Sequence, residues 1–243
     1  MIKQLVCAVV CLFWGISALA EPLRVGVDPN LKPFVYQEAS GELAGFDVDV
    51  AKEICARVQR DCVFVSTDWD GLIPSLNSRK VDVLITAMSI TEDREKVVDF
   101  SRPYYKSPSQ LLVASAITQP KTIGVLRGSV DEVFAKHQFT QARVISYTNQ
   151  LEALMDLQYG RLEAVLGPRI ELQYGLTSDQ AGKFHFTGPV YDDPKYFGPG
   201  IGMAVRENDP LLAQVNTAIT AMRADGTWQK LADRYFEVDI WAY

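Results

Sequence analysis

The chain has 243 residues, 48% hydrophobic and 22% charged, with 24 basic against 30 acidic side chains and a net charge of −6. That length is long for one small domain and short for two independent ones. An acidic chain without basic clusters argues against nucleic acid as a partner, but not against a small ligand, because a local field can oppose the global charge.

The first 20 residues read as a signal peptide: a basic start at Lys3, an apolar run from Leu5 to Ile16, and the small-x-small site Ala18-Leu19-Ala20. The run is short for a membrane span, and no later stretch approaches the ~20 apolar residues such a helix needs. Cys7 and Cys11 lack the small-residue context of a lipidated cysteine. Cleavage after Ala20 would remove Lys3 and no acid, leaving 23 basic against 30 acidic residues, a net of −7. The expectation is a soluble product exported to the periplasm.

Leu23 to Val27 predicts a buried strand, and from Phe46 the apolar positions Val50, Ala51, Ile54, Cys55 and Val58 share one helical face. Cys62 to Val65 reads as a strand, Asp70 to Asn77 as a helix and Asp82 to Ile85 as a strand. This alternation implies a mostly parallel sheet with right-handed crossovers. Cys55 and Cys62 are the cysteines left after cleavage. Export favours a disulfide between them, the alternative being a metal pair, for which His137 and His185 show no ligand spacing. Seven helical residues would hold the Cα atoms about 10 Å apart, too far for a bridge, so the helix must end before Cys62.

The segment Ser89-Ile90-Thr91-Glu92-Asp93-Arg94 follows a strand end. Thr91 is placed to cap a short helix with Arg94 in its first turn. Small polar residues, free N–H groups and a planar guanidinium suit a carboxylate; a surface ion pair is the alternative.

A second unit with the same rhythm starts near Lys121. It has strands at Thr122–Leu126, Arg143–Tyr147 and Leu162–Leu166, and helices at Val130–His137 and Leu151–Gln158. Ser129-Val130-Asp131-Glu132 forms a capping box, a second helix terminus favourable to anions. After Gly198-Pro199-Gly200 come a strand at Ile201–Val205, a helix start at Asp209-Pro210, and Gly226 between the last two helices.

Together these residues resemble the periplasmic substrate-binding proteins of polar-amino-acid ABC transporters (family 3), nearest the lysine/arginine/ornithine- and histidine-binding branch. The resemblance runs through Gly45-Phe46-Asp47-Val48-Asp49, Leu72-Ile73-Pro74-Ser75-Leu76, Ser89 to Arg94, Gly124 to Ser129, Lys195-Tyr196-Phe197-Gly198 and the tail from Gly226 to Phe236. It implies an α/β, two-lobed periplasmic-binding-protein type II fold, each lobe a mostly parallel sheet flanked by helices, joined by two hinge strands. The first lobe would comprise residues 22–106 and 202–243, the second residues 107–201. The Cys55–Cys62 spacing resembles the disulfide of that branch.

Carried over by resemblance, Arg94 would clamp the ligand carboxylate with help from the backbone at Ser89. The Ser129–Val130 terminus would meet it from the second lobe. Thr86 and Ala87 would lie near the ligand amino group, and Trp69 would stack on its side chain, core packing being the alternative. Asp28 would face a basic side chain, or serve as a turn residue before Pro29.

Three departures qualify this. Pro168 stands where the family commonly has an acid for the ligand ammonium, and proline offers neither charge nor N–H. Losing a partner for a buried charge typically costs ~2–5 kcal/mol. Leu31 replaces an aromatic wall, and Asp131 replaces an amide, either to suit a cation or to favour its own helix N-terminus.

The implied function is capture of a carboxylate ligand, either a basic or polar amino acid or an N-substituted derivative such as an opine. Delivery would be to an inner-membrane ABC permease, by a monomer, without catalysis, cofactor or metal. The alternative is an exported cyclohexadienyl (prephenate/arogenate) dehydratase using Glu171 as acid. The sequence otherwise reads Glu171 as a solvent-facing helix residue between Ile170 and Leu172. A third possibility is a sensor lobe or a periplasmic chaperone.

Overall fold

The computed structural model describes residues 21–114, 117, 119–176 and 182–241. The signal-peptide expectation falls on residues 1–20, outside them.

The first lobe opens with β1 (Leu23–Val27), a small antiparallel sheet of β2 (Asn30–Leu31), β3 (Val35–Gln37) and β4 (Leu43–Ala44), and then α1 (Phe46–Arg57). It continues with β5 (Cys62–Ser66), a 3-10 turn at Trp69–Gly71, α2 (Leu72–Asn77), β6 (Val83–Leu84), α3 (Glu92–Glu95) and β7 (Asp99–Phe100). The second lobe holds β8 (Ser109–Ala114), β9 (Thr122–Leu126), α4 (Val130–Gln138), β10 (Arg143–Tyr147), α5 (Gln150–Gln158), β11 (Ala164–Pro168), α6 (Arg169–Tyr174), β12 (Phe184–Tyr191) and α7 (Pro194–Phe197). The chain returns through β13 (Ala204–Val205), α8 (Leu211–Ala224) and α9 (Thr227–Ala232).

The two main sheets repeat one plan, in the orders β5-β1-β6-β13-β7 and β10-β9-β11-β8-β12. In each, four strands point one way and a single strand runs against them: β13 between β6 and β7, and β8 between β11 and β12. Each reversed strand follows a crossing between lobes. The crossings meet at Ile201, whose N–H donates to Tyr105 O at 2.9 Å and whose O accepts from Tyr104 N–H at 2.9 Å. Gly198 fits there because its φ is +66° and a Cβ would collide with the Ile90 carbonyl.

Local chemistry accounts for most boundaries. Six of the seven buried α1 residues are apolar (Phe46, Val48, Val50, Ala51, Ile54 and Cys55) and pack into the core. The helix ends at Arg57, which lets Cys55 and Cys62 come within 5.7 Å Cα to Cα and form their disulfide. The helix expected over Asp70–Asn77 instead begins at Leu72, because Trp69–Gly71 takes the tighter 3-10 form. Phe34 stacks on Tyr105 with ring centroids 4.8 Å apart and packs against Phe46 and Phe236, which ties the crossing segment to the first lobe's core.

Candidate functional site

Parallel strands leave a crevice beyond their carboxyl ends, and here the crevices of the two sheets face each other. Together they form a cavity lined by Leu31, Trp69, Ala87, Ser89, Arg94 and Ile201 and, from the second lobe and its approach, Ser107, Ser109, Leu126, Ser129, Val130, Asp131, Gln150, Pro168 and Glu171. The lobes touch across it: Arg94 Nη2 donates to Gly128 O at 3.2 Å, Arg127 pairs with Asp70 at 3.1 Å, and the Tyr174 hydroxyl donates to Tyr235 O at 2.7 Å.

Thr91 caps α3, its hydroxyl accepting from the Arg94 N–H at 3.4 Å. Arg94 is thereby turned inward, donating from Nη1 to Ser89 O at 2.8 Å, with its guanidinium carbon 5.4 Å from the Trp69 ring centroid. Removal from solvent lowers the guanidinium's pKa to about 10, against the pull of the Asp131 charge. Opposite stands the amino end of α4, where the Ser129 hydroxyl accepts from the Glu132 N–H at 3.1 Å. The Glu132 carboxylate reaches back one residue further than a simple capping box, accepting from Gly128 N–H at 2.6 Å. The first helical N–H, at Val130, has no acceptor within its own helix.

The wall carrying Ala87 is held from behind by Asp47. This residue is fully buried in the first turn of α1 and accepts from Ala87 N–H at 2.7 Å, the Tyr104 hydroxyl at 2.8 Å and the Tyr105 hydroxyl at 3.2 Å. Burial raises its pKa to about 7, although all three donors favour the charged form. Ala87 sits at φ +50°, a conformation that a non-glycine residue needs such support to hold. Asp47 was legible only as part of the resembling segment.

Nine of the eleven expected ligand residues line the cavity: Leu31, Trp69, Ala87, Ser89, Arg94, Ser129, Val130, Asp131 and Pro168. Thr86 and Asp28 lie just behind it, both buried, with the Asp28 N–H donating to the Thr86 hydroxyl at 2.9 Å. Both readings of Asp28 have a physical basis. Oδ1 closes a turn by accepting from the Asn30 backbone and amide at 3.0 and 2.8 Å, while Oδ2 is buried without a hydrogen bond. Trp69 is 8% exposed and faces Gly128 of the opposite lobe.

Glu171 corrects the sequence reading. It is only 6% exposed, lines the cavity one helical turn beyond Pro168, and does not face solvent. The hydrophobic signal pointed the wrong way, because its neighbours are buried on opposite sides: Ile170 packs against the first lobe's core and Leu172 inside the second's. Burial pushes the Glu171 carboxyl well above the usual range, and the charges of Asp131, Asp47 and Asp28 add to the shift. Burial likewise raises Asp131 to about 6, opposed by the nearby Ser109 hydroxyl, which falls short of hydrogen-bond geometry, by its own N–H and by Arg94. Sequence reasoning also missed Leu126, although it lies in the resembling segment Gly124 to Ser129, and Ser107, Ser109, Gln150 and Ile201, none of which carries a motif. The side chains of Ser107, Ser109 and Gln150 each present a buried polar atom without a partner.

Known proteins resemble this chain over most of its length. Residues 23–238 match the family of bacterial extracellular solute-binding proteins, family 3. The L-arginine-binding protein of Pseudomonas aeruginosa is 39% identical, over 92% of this chain and 91% of that protein. The histidine-binding periplasmic protein of Salmonella typhimurium is 37% identical, over 93% of this chain and 91% of that protein. Among solved structures, a Salmonella typhimurium periplasmic binding protein of high arginine specificity superposes with a TM-score of 0.84 at 29% identity, covering 89% of this chain and all of that one. An ancestral amino-acid-binding protein, a precursor of cyclohexadienyl dehydratase, gives 0.78 at 31% identity, covering 89% and 95%. The chain belongs to the bacterial extracellular solute-binding proteins of family 3.

Proposed function

We propose that this protein is the periplasmic receptor of an ABC importer. It captures a basic or polar amino acid, or an N-substituted derivative such as an opine, by its carboxylate. The observation that carries this reading is the Arg94 guanidinium, turned into a closed cavity opposite the amino end of α4. A guanidinium and unpaired helix N–H groups are complementary to a carboxylate. Residues 22–106 and 202–243 form one closing lobe and residues 107–201 the other, and hinge motion at the two crossings admits the ligand. The names of relatives that bind arginine and histidine support an amino-acid ligand, and that of the ABC transporter arginine-binding protein 1 of Escherichia coli supports a membrane permease as partner.

A thermal-shift screen of amino acids and opines identifies the ligand. At 100 times its dissociation constant it stabilises the folded state by about 2.7 kcal/mol. Arg94→Ala then weakens that ligand by about 30-fold to several thousand-fold, and an unchanged affinity removes the carboxylate clamp.

One observation favours a second reading: a buried, proton-retaining Glu171 in the cavity has the form of an acid catalyst. The receptor reading expects no turnover of prephenate or arogenate. Turnover that disappears in Glu171→Gln would establish a dehydratase instead.

A further inference from the structure

The cavity contains more carboxyl groups than its single cationic lining residue can pair with. Arg94 is the one Lys or Arg among the described lining residues, while Asp131 and Glu171 line the same space and Asp28 lies behind it. Asp47 has three protein donors of its own. By contrast, Asp131 Oδ1 and Asp28 Oδ2 are buried without a hydrogen bond. Glu171 is buried and lines the same cavity, and the charged groups around its carboxyl are Asp131, Asp47 and Asp28.

Helix α6 keeps it so. Ile170 and Tyr174 pin the helix against the first lobe, and Leu172 packs into the second. Arg169, the cation on that helix, is turned away, donating to Gln110 Oε1 at 3.2 Å and standing 5.0 Å from the Phe186 ring centroid. A buried carboxylate without a partner is costly, so such a group either keeps its proton or awaits a cation.

We infer that Glu171 receives a cationic nitrogen of the ligand in place of an acid at Pro168, so that the site selects ligands with one carboxylate and two cationic nitrogens, the basic amino acids with a free α-ammonium. This rests on carboxylate capture by Arg94 and narrows it. Once Arg94 is matched by the ligand carboxylate, the remaining acids face only the rest of the ligand. Two cationic nitrogens leave one acid to retain a proton. A neutral side chain supplies one nitrogen too few. An N-carboxyalkyl derivative brings a second carboxylate among like charges with no second arginine to meet it.

Calorimetric titration of wild type and Glu171→Gln tests this with L-arginine, L-citrulline and N²-(1-carboxyethyl)-L-arginine. Wild type is expected to bind L-arginine at least about 30-fold more tightly than either of the others. Glu171→Gln is expected to lose about 30-fold or more for L-arginine, while its ligand-free form melts no lower than wild type, since a buried repulsion has been removed. Glu171→Asp, which keeps the charge, should recover part of the affinity. Equal affinity of Glu171→Gln for L-arginine overturns the inference, as does a wild-type preference for citrulline or the dicarboxylate. Unfolding of the ligand-free variant would assign Glu171 to the fold and not to the site. If wild type binds none of the three probes, the carboxylate-capture reading fails with it. Binding of the dicarboxylate alone leaves that reading intact and overturns this one.

Discussion

The two walls of the cleft are finished to different degrees. On the first-lobe wall, buried polar groups are largely bonded to one another: Asp47 joins Ala87, Tyr104 and Tyr105, and Thr86 accepts from Asp28 N–H. On the second-lobe wall, Asp131, Ser109 and Gln150 each keep a buried polar atom without a hydrogen bond, and Glu171 has acids for neighbours. Unmade hydrogen bonds cost about 1–3 kcal/mol each when buried. The contrast assigns roles: one wall is a rigid template, and the other gains its missing partners when a ligand enters.

The largest expected effect comes from breaking the finished wall. Asp47→Ala leaves two tyrosine hydroxyls and the Ala87 N–H buried without an acceptor. Urea denaturation should show a loss of about 3–5 kcal/mol. A loss below about 1 kcal/mol would mean that the Ala87 loop does not depend on Asp47.

Next in size is a change remote from both walls. The Cys55–Cys62 disulfide joins the end of α1 to the start of β5, whose partner Leu23 begins β1, at the opposite edge of the sheet from the cleft. Replacing both cysteines by serine should cost about 2 kcal/mol of stability and leave ligand affinity unchanged in titration. An equal fall in affinity would show that the sheet transmits strain to the cleft.

The buried acids of both walls should announce themselves through pH. Asp131 is raised to about 6 and Asp47 to about 7, and Asp28 and Glu171 are raised as well. A carboxyl whose folded pKa exceeds its unfolded value stabilises the fold at low pH, and that contribution is lost as pH rises through the folded value. The ligand-free melting temperature should therefore fall between pH 5 and pH 7.5. Acids with depressed values, such as Asp225 at about 2, lose their contribution only at lower pH. A dicationic ligand favours the charged carboxylates, so the shift it produces should grow over the same window. Scanning fluorimetry across this range, with and without L-arginine, checks both signs. A ligand-free melting temperature that rises with pH contradicts the assignment.

The same contrast explains what could be read from sequence. The legible parts of both walls are residues whose neighbours in the chain specify them: Thr91 caps the helix bearing Arg94, and Ser129 caps α4. Export favoured the Cys55–Cys62 disulfide, and helix geometry then required α1 to end before Cys62, as it does. Three parallel strands per sheet were legible from the alternation, but the fourth, β7 and β12, and the place of the reversed member, β13 and β8, are set by contacts distant in sequence. Glu171 was misread because Ile170 and Leu172 serve two different cores, a fact absent from any local pattern. Pro168 marked where an acid was missing without revealing that α6 returns one to the same space.

The smallest effect concerns the contact that brings the walls together. Arg127 and Asp70 meet at 3.1 Å across the cleft, with side chains 48% and 53% exposed. An exposed pair of this kind contributes about 0–1 kcal/mol and weakens with salt. Arg127→Ala should therefore reduce affinity by no more than about 5-fold, chiefly by speeding dissociation, since the pair forms only when the lobes close. Stopped-flow release measured in low and high salt separates this from a site contact. If the pair is only a latch, salt should accelerate release in wild type and have little effect in the variant. A much larger loss, insensitive to salt, would place Arg127 among the groups that touch the ligand and add the second cation that the charge balance of the cavity now lacks.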